Sequence, residues 1–343
     1  MLAGSWRESQ PSSLDISQSQ LDEVTPLLYG SGAAALGWWR IRGTDLRASA
    51  SAAVLQQAFR LQVLQSGIHE EKIRKVLLKL RHASIDPILV KGWAAAGLYP
   101  ERGLRPYGDI DLLVRSEHYA TAAEILAQPE MKDCWVDLHA HFAELNDRPP
   151  EKLFERSQLL PLGQDVVRVL SPEDHLSLLA VHLLKHGAWR PLWLCDIAAA
   201  IESLPTGFDW DICLGREKRR AGWVICAVAL ARHFLGLKTD QLPMAIKAGE
   251  LPRWLRNAVH KEWQNPFAVN QPPMRHPVPI ASQLMRPAGL LRALRDRWPN
   301  PIIATISVNG AFNMVPRLPY QLGNCALRVT RLLIGSSDPE GQH

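Results

Sequence analysis

Three observations on this 343-residue chain predict an α+β fold: a small mixed β-sheet core flanked by an N-terminal helical segment and a larger C-terminal helical lobe. Apolar residues recur at helical spacing up to about residue 82. Short β-prone runs separated by turn signals fill 83–170. A strong helix start at Ser171 opens a stretch of helical patterning that continues to about residue 335.

Residues 1–19 are rich in Ser and Gln and residues 336–343 are small and polar, so both ends are expected to fray. From Gln20 to His82, Leu55, Phe59, Leu61 and Leu64, then Ile73, Val76, Leu77 and Leu80, have the spacing of amphipathic helices. Asp86-Pro87 signals a turn or strand entry, Ile88 to Val90 is a short β-prone run, and Lys91-Gly92 opens a short small-residue helix, WAAAGLY. A second strand fits 109–114, a helix 117–126 and a third strand 134–142. Ser171-Pro172-Glu173-Asp174 reads as an N-cap, a proline in the first turn and acids over the positive end of the helix dipole. The proline-rich stretch 265–279 and Pro287, Pro299, Pro301, Pro316 and Pro319 require short or kinked C-terminal helices. The expected division is 1–82 tail and helical segment, 83–170 α/β core, 171–335 helical lobe and 336–343 tail.

Composition is ordinary for a globular protein, with 47% hydrophobic and 21% charged residues. A net charge of +5 suits phosphate-bearing partners without establishing nucleic-acid binding, which remains unfavoured. The five cysteines are isolated, which fits a reducing cytoplasm. The N-terminal residues lack a signal-peptide pattern and the apolar stretch 223–231 is too short for a bilayer, so a soluble, unprocessed, cytoplasmic protein without a membrane partner is expected.

The chemistry centres on GDIDLLV. On a strand, Asp109, Asp111 and Leu113 share one face while Ile110, Leu112 and Val114 share the other. Two carboxylates held together repel unless a cation compensates, and hard divalent ions prefer such oxygen ligands. By itself a DxD pair also suits a solvated strand edge protected against aggregation. Asp137, on the next strand, could reach the same face; Glu130, Asp133 and Glu144 sit at strand ends or in loops. Backbone amides of Gly92, Trp93 and Ala94 could cradle an anion and Lys91 could add charge, although a lone Lys-Gly is also an ordinary turn. Arg105 could reach a phosphate from its Pro/Gly-rich loop or simply be solvated.

The runs LVKGWAAAGLY, RPYGDIDLLV and VDLHAHF resemble the uncharacterised nucleotidyltransferase family of the polymerase-β-like nucleotidyltransferase superfamily, over roughly residues 70 to 200. The resemblance implies that a glycine motif at Gly92 holds nucleotide phosphates. It further implies that Asp109, Asp111 and Asp137 bind Mg²⁺, or Mn²⁺ as an alternative. Where the superfamily usually has a serine after the glycine, this chain has Trp93. The expectation is an enzyme that transfers a nucleoside monophosphate from an NTP to a hydroxyl or phosphate of an unidentified small-molecule or protein acceptor. The catalytic residues are then Asp109, Asp111 and Asp137, with Lys91, Gly92, Trp93, Arg105 and Gly108 at the nucleotide and His139 and His182 lining the site. The alternative is an inactive nucleotide-binding or regulatory module of the same fold.

Other patterns carry less. His182 and His186 share a helical face but lack the HExxH glutamate, so lining the interface between lobes is their default role. No GxSxG occurs. REKRR at 216–220 reads as a solvated face, and the twelve tryptophans as core.

Overall fold

The computed structural model describes residues 1–9, 14–238, 242–247, 249–264 and 298–334. Three helices precede the sheet: α1 (Gln18–Gly30), α2 (Ala34–Ile41) and the long α3 (Ala50–His82). Ser17 and Gln20 form a capping box at the start of α1, and Ser49 caps α3. The core then runs β1 (Ile88–Val90), α4 (Gly92–Ala96), β2 (Ile110–Leu113), α5 (Tyr119–Leu126), β3 (Val136–His139), α6 (Pro150–Arg156), β4 (Gln158–Leu162) and β5 (Asp165–Val169). Beyond it lie α7 (Pro172–Lys185), α8 (Pro191–Glu202), α9 (Trp210–Leu214), α10 (Lys218–Leu235), α11 (Met244–Lys247), α12 (Arg253–Trp263), α13 (Pro301–Ser307) and α14 (Leu318–Ile334). This is the α+β arrangement expected, with a mixed sheet and a helical lobe.

The sheet order is β3-β2-β1-β5-β4, with β1 antiparallel to β2 and parallel to β5, and β2 parallel to β3. Strand alternation gives its two faces different partners. Leu89, Ile110, Leu112 and Val114 pack with Ile73, Val76, Leu77 and Leu80 of α3. Ile88, Val90 and Leu113 join a core that continues without a break into α7, α8 and α10. Each such aliphatic side chain contributes about 2 kcal/mol on burial. Because Asp111 lies between Ile110 and Leu112, it is turned to the face that meets the helical lobe.

Several expectations need correction. Three strands were predicted and five are present among the described residues: the β4–β5 hairpin turns at Gly163, in the left-handed region. Pro161 disguised β4, yet a proline is tolerated there because β4 is an edge strand. The first residues do not fray as a whole. Trp6 is buried, its indole donates to Glu202 at 3.0 Å, and Arg7 donates to the same carboxylate at 2.6 Å. Leu55 is buried while Leu61 and Leu64 face solvent, so only the second half of the α3 stripe is core throughout. Ser171 does cap α7, accepting from the Asp174 amide, with Pro172 in the first turn. Pro301 opens α13 in the same way. The stretch 265–279, Pro287 and the 336–343 tail lie outside the described residues. Arg220 of the REKRR run is buried against Asp147 at 3.1 Å rather than solvated. No helix among the described residues is long and apolar enough to cross a membrane.

Candidate metal and nucleotide site

Strand register assembles the charged cluster. Asp111 on β2 sits between Val90 of β1 and Asp137 of β3, and Leu113 is level with His139. Parallel pairing with alternating side chains therefore brings Asp111, Asp137 and His139 to one face, where each offers a ligand atom and all three lie within 4.8 Å of one another. His139 Nε2 is 2.9 Å from Asp137 Oδ2 and 3.6 Å from Asp111 Oδ1, yet it is buried without a well-directed hydrogen bond to either. Burial works against charge on this imidazole, but contact with the two carboxylates outweighs it and raises its pKa to about 9.

Lys91 completes the sheet side. It leaves β1 at φ 56° and ψ −132°, a positive-φ conformation that residues with a side chain rarely adopt, costing about 1–3 kcal/mol. Its Nζ lies 3.1 Å from Asp111 Oδ1 and 4.9 Å from the Phe142 ring centre. Burial opposes the ammonium charge, but Asp111 and then Glu144 hold its pKa above the ordinary lysine value. Glu144 is buried beside His182 Nδ1 at 3.5 Å and Lys185 Nζ at 3.7 Å. Burial alone would raise its pKa; His182, Lys185 and Lys91 together hold it well below the carboxylate range. Signs therefore alternate from Asp137 to His139, Asp111, Lys91 and Glu144, a run that ends at His182 of the lobe.

A cavity of about 300 Å³ adjoins this cluster, at the small end for a ligand pocket. Lys91, Gly92, Gly108, Asp109 and Asp111 line its sheet side, and Leu179, His182, Arg190 and Trp193 close it from α7 and α8. Asp109 precedes β2 and is exposed at the mouth, outside the three-residue cluster. The positive-φ residue of the Lys91-Gly92 turn is the lysine, not the glycine. A Cβ at Gly92 would meet Asp109 O and Tyr107 Cβ at an ordinary 3.5 Å, so neither backbone nor packing requires glycine there. What the missing side chain leaves is room in the cavity floor. With only five residues, α4 is a single turn with little dipole, so the expected anion cradle at its N-terminus loses most of its force.

Two of the expected nucleotide contacts are engaged in the fold. Trp93 packs against the α3-facing core and is not a lining residue. Arg105 borders the cavity, but its guanidinium is buried on Asp196, with Nη2 2.9 Å from Oδ2 and the Tyr99 hydroxyl donating to the same carboxylate at 2.7 Å. Sequence reasoning missed Asp196, Tyr99 and Arg190. It also ranked Glu144 low. Only Arg190 left a trace, preceding Pro191 at a helix start much as Ser171 precedes Pro172. His182 lines the cavity and packs against His186 at 4.5 Å and edge-on against Trp193 at 4.8 Å, while His186 itself is exposed and is not among the lining residues.

Two carboxylates, an imidazole with an undirected buried nitrogen and an adjoining cavity are a donor set that fits a divalent cation. A family model described as an uncharacterised nucleotidyltransferase matches residues 18–131 and 127–236, more than half of the chain. The chain belongs to this family. No curated protein and no solved structure matches it.

Proposed function

We propose that this member of the nucleotidyltransferase family is a divalent-metal-dependent enzyme that moves a nucleoside monophosphate from an NTP to a hydroxyl or phosphate of a small-molecule or protein acceptor. The observation that carries the reading is the in-register meeting of Asp111 and Asp137 beside a cavity that Gly92 and Asp109 also line. Asp111 and Asp137 would hold the ion, with Asp109 at the mouth as a further carboxylate. Mg²⁺ suits these oxygens, and Mn²⁺ would additionally accept the His139 nitrogen. Bound there, the ion would supply positive charge to the reacting phosphate and the leaving pyrophosphate.

The protein's own groups have distinct tasks. The bond from the acceptor oxygen to the α-phosphorus forms as the bond to the β-phosphate oxygen breaks, and the acceptor's proton passes to Asp137, the part-exposed carboxylate of the pair. Where the ion leaves the His139 nitrogen free, His139 would balance the charge of Asp137 from 2.9 Å. Lys91 neutralises Asp111 and is near enough to the cavity to turn to the pyrophosphate. Leu179, His182 and Trp193 shape the acceptor's side. The five cysteines are all free, in keeping with a cytoplasmic setting.

The test is calorimetric titration of ATP, CTP, GTP and UTP with Mg²⁺ into wild type and the Asp109→Ala/Asp111→Ala variant, with pyrophosphate release followed across an acceptor screen. Metal-dependent NTP binding lost in the variant, with pyrophosphate released for at least one acceptor, is expected. NTP binding that survives the double substitution, with no pyrophosphate from any acceptor, would establish the binding-module alternative instead.

A further inference from the structure

We infer that Arg190 is the phosphate-binding cation of the cavity, reaching in from the helical lobe to hold the oligophosphate of the nucleotide; the inference rests on the nucleotidyl-transfer reading above. Among the described residues three strong cations border the cavity, and two already have carboxylates. Lys91 is taken by Asp111 at 3.1 Å and Arg105 by Asp196 at 2.9 Å. Arg190 donates from Nε to the Ser31 carbonyl at 2.8 Å and lies 5.7 Å from the Trp193 ring centre. Among the described residues no carboxylate pairs with it. Burial, followed by the charge of Arg105, lowers its pKa to about 10, while Asp196 and Asp109 act on it only through space. A guanidinium withdrawn from water without a counter-ion is costly, and an anion in the adjoining cavity would remove that cost.

The N-terminal segment fixes its position. Gly32 lies in the turn between α1 and α2 at φ 76°, and a Cβ there would come within 2.3 Å of Arg190 Nη2. Glycine at this point therefore admits the guanidinium, and the Ser31 carbonyl next to it holds Nε. With Nε fixed, the planar fork presents its remaining donors as a unit, the geometry that suits two phosphate oxygens. Phosphate held this way would link α8, the α1–α2 turn and the sheet side of the cavity.

The experiment titrates inorganic tripolyphosphate, in EDTA, into the full-length wild type, Arg190→Gln, Arg190→Lys and Asp111→Asn. Wild type should bind. Arg190→Gln should bind at least about tenfold more weakly, Arg190→Lys should fall between, and Asp111→Asn should bind at least as tightly as wild type because it removes a repelling charge. Thermal melting of each variant confirms folding, and Arg190→Lys carries the test if the glutamine variant melts early. No binding by wild type, or equal binding by wild type and both Arg190 variants, overturns the proposal. A parallel titration with Mg²⁺ and ATP separates it from the parent reading. Arg190-dependent tripolyphosphate binding without NTP use would sink nucleotidyl transfer but keep the anion site. NTP use unaffected by Arg190→Gln would do the reverse.

Discussion

Asp111 and Asp196 are both buried carboxylates, the first lining the cavity and the second behind its wall on the lining residue Arg105, and their surroundings differ in kind. Asp196, fully buried on α8, receives the Tyr99 hydroxyl, Arg105 Nε and Arg105 Nη2. Asp174 is closed in the same way by Arg148, Arg156 and Ser171. Asp111 has an ammonium at 3.1 Å, an imidazole at 3.6 Å that is not aimed at it, and the cavity. A carboxylate whose acceptor positions are filled by fixed donors ties elements together. One left partly open beside a cavity is available to a ligand. Burial alone does not distinguish architecture from chemistry; completeness of the hydrogen bonding does.

Substitution should therefore separate the two residues in opposite directions. Asp196→Ala strands the Arg105 guanidinium in the interior and should cost about 4 kcal/mol, seen as a drop in Tm of about 10 °C. Asp111→Asn keeps the shape of its side chain and an oxygen for Lys91 Nζ, and relieved repulsion with Asp137 offsets the lost charge pairing with Lys91. It should move Tm by no more than about 3 °C while lowering pyrophosphate release about 10³-fold. Equal melting losses for the two variants, or Asp111→Asn activity within tenfold of wild type, would break the comparison.

Acid should probe the closed side. His175 lies at the Asp196–Arg105 cluster with Nε2 buried and unbonded, and burial, only partly offset by Asp196, brings its pKa down to about 4. Its folded pKa is below the unfolded value of about 6.5, so the unfolded chain takes up the proton first. Stability from this residue is fully present above about pH 6.5 and is lost as pH falls towards 4, by about 3 kcal/mol in all. Urea denaturation of wild type and His175→Leu at pH 7.5 and 5 should show a shallower acid loss in the variant. Parallel losses would mean that His175 is not buried in its neutral form.

The open side was the more legible in sequence, for a physical reason. Asp111 and Asp137 are short-range signals: strand alternation puts them on one face, and that face follows from neighbours one and two residues away, while Asp109, one residue before β2, stands at the cavity mouth. Arg105 read as a phosphate ligand because the carboxylate that takes it stands 91 residues further on, and no local pattern reports such a partner. Arg190 was missed for the same reason, its fixing points being Ser31 and Gly32, the former 159 residues away. The β4–β5 hairpin was hidden by Pro161, which only an edge position excuses.

Gly92 gives the smallest effect and the finest division between the two kinds of residue. It starts α4 outside the left-handed region, and an added Cβ would find ordinary contacts at 3.5 Å. Alanine is the better helix former, so Gly92→Ala should leave stability unchanged or raise it by about 0.5 kcal/mol. The same methyl would stand in the cavity floor beside Asp109, where a nucleotide phosphate is expected to approach the backbone. NTP affinity should fall about tenfold, or about 1.4 kcal/mol. A variant that melts no lower than wild type yet binds NTP more weakly would locate the glycine's importance in the ligand rather than the fold. If Gly92→Ala instead destabilised the protein and left NTP affinity untouched, the glycine would belong with Asp196 on the architectural side, and the phosphate grip would have to come from the lobe alone.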